Sequence, residues 1–134
     1  MIIAIDFDGT IVEHCYPEIG QLKPHAIETL KAWQKKGHKL ILWTCRNDTD
    51  PANHGRLVLT EAVEFMKQQG VLFDAVNENL PDLGINPQPK IYADLYFDDR
   101  AYMRKVNWIQ FMVIVHYAEQ SFDYMQELIS HRSE

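Results

Sequence analysis

A chain of 134 residues has room for one core, and residues 1–134 read as a single domain. With 46% hydrophobic and 24% charged residues, and no run near the ~18 apolar residues of a membrane span, it reads as a soluble globular protein. A net charge of −6 with scattered Lys and Arg argues against an extended nucleic-acid surface, while a single nucleotide or a polymer end stays compatible. The start, Met1 to Asp6, lacks the basic segment of a signal peptide, and Cys15 and Cys45 form neither a disulfide framework nor a paired metal motif. A reducing cytoplasm is the expected setting.

The first predicted element is a strand, the continuous apolar run Ile2 to Ile5. Ile11 to Leu22 forms an unusually long connection. A helix starts near Pro24, turns Ile27, Leu30 and Trp33 to one face, and stops at Lys35, Lys36 and Gly37. Leu40 to Trp43 is a second strand. Leu59, Ala62, Val63 and Met66 follow the spacing of an amphipathic helix that Gly70 closes. Phe73 to Val76 is a weaker strand, the proline-bearing stretch Asn77 to Pro89 a loop, and Ile91 to Phe97 a strand broken by Asp94. Residues 106–117 read as a helix capped by Asn107, with an edge strand followed by a helix as the alternative; a last helical piece covers Phe122 to Ile129. Alternating strands and helices predict an α/β fold with a mainly parallel sheet and right-handed crossovers.

Polar residues fall where these strands end. Asp6 closes the first strand with Asp8 two residues on, Thr44 closes the second, and Asp98 and Asp99 close the fourth. Ligands of open parallel sheets bind outside the carboxyl ends of the strands, so three strands deliver polar groups to one edge. Several carboxylates at one edge repel unless a cation joins them, and all-oxygen ligands suit Mg²⁺. Two lysines lie between Thr44 and Asp98. Lys67 falls inside a helix, whereas Lys90 sits in the loop before the last strand and is the better partner for an anion.

The run Asp6-Phe7-Asp8-Gly9-Thr10, then Thr44, Lys90 and Asp98-Asp99 resembles the four ordered motifs of the haloacid dehalogenase superfamily. Leu42 to Arg46 and Tyr96 to Arg100 look like its small capless branch. The resemblance implies a Rossmann-like three-layer α/β/α sandwich without a cap domain, and an Mg²⁺-dependent phosphatase. It implies Asp6 as nucleophile forming an aspartyl-phosphate, and Asp8 as the acid and base that also offers its backbone carbonyl to the metal. Thr44 and Lys90 would hold the phosphoryl oxygens. Asp98 would bind Mg²⁺ together with Asp6, with Asp99, Thr10 and Arg46 in support. Asp rather than Thr at position 8 resembles the phosphatase and phosphomutase pattern, and mutases generally carry a cap.

The intervals between motifs hold too little for a cap. An open site suits a phosphorylated small molecule, a phosphorylated polymer end, or a substrate sheltered by a second subunit in a homo-oligomer. His14 and Tyr16 in the long connection are candidate substrate contacts, and Arg46 and Arg100 candidates for substrate or ion pairing. Three alternatives stay open: an enzyme of polynucleotide ends or nucleotides, a silent phosphate-binding scaffold, and a phospho-receiver domain, whose motif order fits poorly.

Overall fold

The computed structural model describes residues 1–86, 88–101 and 105–132. In chain order these form β1 (Ile2–Ile5), α1 (Ala26–Lys35), β2 (Lys39–Leu42), a 3₁₀ turn at Pro51–Asn53, α2 (Val58–Gln68), β3 (Ala75–Val76), β4 (Leu95–Phe97) and α3 (Trp108–Arg132). The sheet runs β3-β2-β1-β4 with every described pair parallel. This is the α/β, Rossmann-like arrangement expected from the alternation of elements.

Burial on both faces of the central strands explains their unbroken hydrophobicity. Ile3, Ile5, Leu40 and Leu42 pack against residues of all three helices, including Leu30, Met66 and Trp108. Ala4 and Ile41 face the other way, against Ala75, Ile91, Ala93 and Leu80. The opposite layer is thus supplied among the described residues by the irregular chain between β3 and β4, not by a helix. That segment carries prolines at 81 and 89, which suit a loop better than a helix interior.

Each helix stop has a local cause. After α1 the Gly37 N–H bonds to the Gln34 carbonyl and the His38 N–H to the Trp33 carbonyl, closing two orphan acceptors. Gly37 sits at φ 94°, a region where side chains are strained. The same bonds close α2, from Gly70 to Lys67 and from Val71 to Met66. At the start of α2, Asp48 reaches across the loop and accepts the Leu59 and Thr60 N–H groups at 2.8 and 3.1 Å.

Three elements depart from expectation, each for a visible reason. The third strand shortens to Ala75–Val76 because the Leu40 N–H bonds to the Asp74 side chain at 2.8 Å. The fourth shortens to Leu95–Phe97: the Tyr96 hydroxyl accepts the Ala93 N–H and donates to the Ile91 carbonyl, drawing that backbone off the ladder. The helix at 106–117 forms as predicted, with the Asn107 side chain accepting the Ile109 N–H at 2.9 Å. It does not stop there, however, and continues through the separately predicted piece as one 25-residue helix. Ala118 to Ser121 contain neither Gly nor Pro, so nothing breaks it.

α3 ties the core to the site. Trp108 is 1% exposed, lies 5.7 Å from Trp33 and 5.2 Å from Phe111 between ring centroids, and donates its indole N–H to the Thr10 carbonyl at 2.9 Å. Trp108→Phe is expected to cost about 2–3 kcal/mol, combining a small void with an orphaned buried carbonyl. Urea denaturation with an unchanged m-value measures it.

Candidate active site

Strand register builds the site. Ile5 pairs with Leu42 on one side and Phe97 on the other, so Asp6, Thr44 and Asp98 leave the sheet at the same edge. The chain steps from β1 to β2 to β3 in one direction and then returns to the other flank of β1. A crevice at such a reversal is where ligands of open sheets bind. Here it is a cleft of about 350 Å³ lined by Asp6, Asp8, His14, Tyr16, Thr44, Cys45, Arg46, Asp98 and Arg100.

Carboxylate oxygens of Asp6, Asp98 and Asp99 all lie within 4.8 Å of one another. Among the described residues no Lys, Arg or His forms an ion pair with any of the three. Burial, and then the charges of Asp98 and Asp99, hold the Asp6 carboxyl up to about 7, against hydrogen bonds from the Phe7 N–H and Thr10 that act the other way. Asp99 Oδ1 is buried without a hydrogen-bond partner. A buried, orphaned carboxylate oxygen beside two further carboxylates is the donor set of a hard divalent cation. The described residues therefore fit a metal.

Thr10, fully buried, is the clasp of this cluster. Its hydroxyl donates to Asp6 Oδ2 at 3.2 Å and accepts the Asp99 N–H at 2.9 Å, while Trp108 holds its carbonyl. Gly9, at φ 83°, lets the loop pass close to Asp99; a Cβ there would lie 2.5 Å from Asp99 Oδ2. Thr44 is aimed by its neighbours: its N–H bonds to the Asn77 side chain at 2.8 Å and its hydroxyl accepts the Arg46 N–H at 3.2 Å.

Asp8, on the same cleft, is paired with Arg46. Arg46 is 2% exposed and spends all five guanidinium N–H groups. Two go to the Asp8 oxygens at 2.8 Å each, two to the carbonyls of Pro17 and Glu18 at 3.2 and 2.9 Å, and one to the Val58 carbonyl at 3.1 Å. Its plane also lies over the rings of Phe7 and Tyr16, at 5.1 and 5.2 Å. One side chain thus fastens the connection after β1 to β2, α2 and Asp8. Lysine has neither the fork nor the donors, so Arg46→Lys is expected to cost roughly 2–4 kcal/mol and to loosen residues 13–20. Chemical denaturation and limited proteolysis measure the two effects.

Lys90 lies outside the cleft. It is exposed, with its ammonium 5.2 Å from the centroid of Tyr96. Among the described residues, Arg100 lines the cleft in addition to Arg46. His14, Tyr16, Arg46 and Arg100, marked in the sequence, all reach the cleft. Asn77 and Trp108, which orient Thr44 and Thr10, carry no local signal in the sequence.

The haloacid dehalogenase-like hydrolase family matches residues 3–79, more than half of the chain. The chain belongs to that family. It is also similar to a solved structure, a conserved protein from Bacteroides thetaiotaomicron, with 39% identity over 88% of this chain and 91% of that one and a TM-score of 0.75. No curated protein matches.

Proposed function

We propose that this hydrolase is an Mg²⁺-dependent phosphatase that cleaves phosphomonoesters through an aspartyl-phosphate on Asp6. The observation that carries the reading is the crowding of Asp6, Asp98 and Asp99 at the sheet edge that also presents Thr44. Asp6 and Asp98, with Asp99 adjacent, would hold the ion, and the backbone carbonyl of Asp8 would join them. When bound, Mg²⁺ offsets the charge of these carboxylates and of the phosphate.

Asp6 attacks phosphorus through a carboxylate oxygen and the substrate's ester oxygen departs. Asp8 gives that oxygen a proton and then takes one from the water that splits the acyl phosphate. A carboxylate held by two guanidinium N–H groups carries no proton. Asp8 would therefore release one of its two contacts with Arg46 to act as the acid, and would return to it as the base. Thr44 offers its hydroxyl to the phosphoryl oxygens, where positioning and electrostatics supply most of the catalysis. Lys90 would join it only by leaving the ring of Tyr96; Arg100 already borders the cleft.

Two exposed free cysteines fit a reducing cytoplasm, and no described helix is long and apolar enough to cross a membrane. The leaving group would meet His14, Tyr16 and Arg100, which suits a phosphorylated small molecule or polymer end. Hydrolysis of p-nitrophenyl phosphate with Mg²⁺ and its loss with a chelator test the reading, followed by a panel of phosphorylated metabolites and nucleotide ends. An inert protein across that panel overturns it.

A further inference from the structure

The outer half of α3 is more helix than the domain can cover. At 25 residues α3 is about 37 Å long, more than the ~30 Å width of a small domain. Its buried residues are Trp108, Phe111 and Val115, and every residue from Gln120 to Arg132 is exposed. A helical stretch as short as Gln120 to Arg132 is marginal in water without packing, so its stability calls for a covering surface.

The exposed half is two-sided. Phe122, Met125 and Ile129 repeat the buried row at heptad spacing, and Tyr117, Tyr124 and Leu128 form an adjoining row. These six side chains are between 42% and 65% exposed. They leave on the order of 600 Å² of mostly apolar surface, given that aromatic side chains alone offer about 150–250 Å² each. A stable interface takes about 800 Å² from each partner, so polar neighbours such as Ser121 and Gln126 would supply the remainder. Glu119, Asp123 and Glu127 fall on the opposite side of the helix, at i, i+4 spacing.

We infer that two copies of this chain pair antiparallel through the apolar rows of α3 between Tyr117 and Ile129. A two-fold pairing sets like rows against each other, and the acidic rows then face away instead of opposing one another. An acidic chain would meet an anionic membrane poorly, whereas this pairing brings no charged row into contact. Glu119 meets Lys36 and His38 just before β2, so the arm leaves from the amino-terminal edge of the sheet. The cleft lies at the other edge, and the pairing leaves it open.

Sedimentation equilibrium of the full chain tests this. Wild type is expected at twice the chain mass. Met125→Glu, which sets two carboxylates against each other, is expected to raise the dissociation constant at least about a hundredfold, with a loss of helical circular dichroism confined to the outer turns of α3 and an unchanged melting of the rest of the domain. A second measurement does not depend on that variant. In a Cys15→Ser, Cys45→Ser background, Met125→Cys should form an interchain disulfide on diamide oxidation, and Asp123→Cys, on the acidic row, should not. A wild type that stays monomeric into the high-micromolar range, a dimer indifferent to Met125→Glu, or equal cross-linking at 123 and 125 overturns the proposal.

Discussion

Asp6→Asn is expected to lower aryl phosphate hydrolysis by roughly a thousandfold or more, because an amide cannot form the acyl phosphate through which the proposed reaction passes. The fold should survive. Asp6 lies at the end of β1, and the bond that fixes it there, from its backbone N–H to the Phe97 carbonyl at 2.9 Å, does not involve the carboxylate. Loss of one negative charge beside Asp98 and Asp99 should, in chelator, raise the melting temperature. Activity and stability thus move in opposite directions, which separates a chemical role from a structural one. Full activity in the variant would remove Asp6 from the reaction.

The second large effect concerns Asp98 and works through the same repulsion. The Asp6 carboxyl has its folded pKa raised from 3.8 to about 7, first by burial and next by Asp98. Between those values the folded chain holds a proton that the unfolded chain has released. Metal-free stability is therefore greatest at the acid end of that window and falls as pH rises through it, by on the order of 4 kcal/mol if Asp6 alone set the slope. Asp98→Asn removes one contributor and should stabilise the chelated protein at pH 8 by about 1–2 kcal/mol, seen as a rise of a few degrees in melting temperature. Mg²⁺ should do the reverse for the two proteins. Wild type should gain stability from it, more at pH 8 than at pH 5 where protons compete, and Asp98→Asn should gain little. Calorimetry of both proteins with and without Mg²⁺, at pH 5 and pH 8, reads these differences. An Asp98→Asn protein that is destabilised in chelator, or that keeps the wild-type gain from Mg²⁺, would contradict the placement of the cation.

What was legible in the sequence was what strands make local. β1 and β2 are continuous apolar runs because both faces are covered, and Asp6, Thr44 and Asp98 are conspicuous because each ends such a run. Parallel register then brings them together with no further information needed. Contacts that join distant positions were not legible. The Arg46–Asp8 pair spans 38 residues and the Trp108–Thr10 bond 98, and neither leaves a periodic trace. The placement of Lys90 depends on Tyr96, whose hydroxyl gathers the backbone of Ile91 and Ala93 and sets where the preceding loop runs. α3 reads as two pieces in the sequence because Glu119, Gln120 and Ser121 interrupt the apolar row that resumes at Phe122, although nothing there breaks the backbone.

Trapping the covalent intermediate tests the central claim most directly. Wild-type protein turning over an aryl phosphate with Mg²⁺ would be quenched in acid, reduced with borohydride and mapped by peptide mass spectrometry. A phosphoryl adduct at Asp6, converted by reduction to homoserine at that position alone, is the predicted result. Turnover without any adduct, or an adduct on Asp8, Asp98 or Asp99 with Asp6 unmodified, would contradict it.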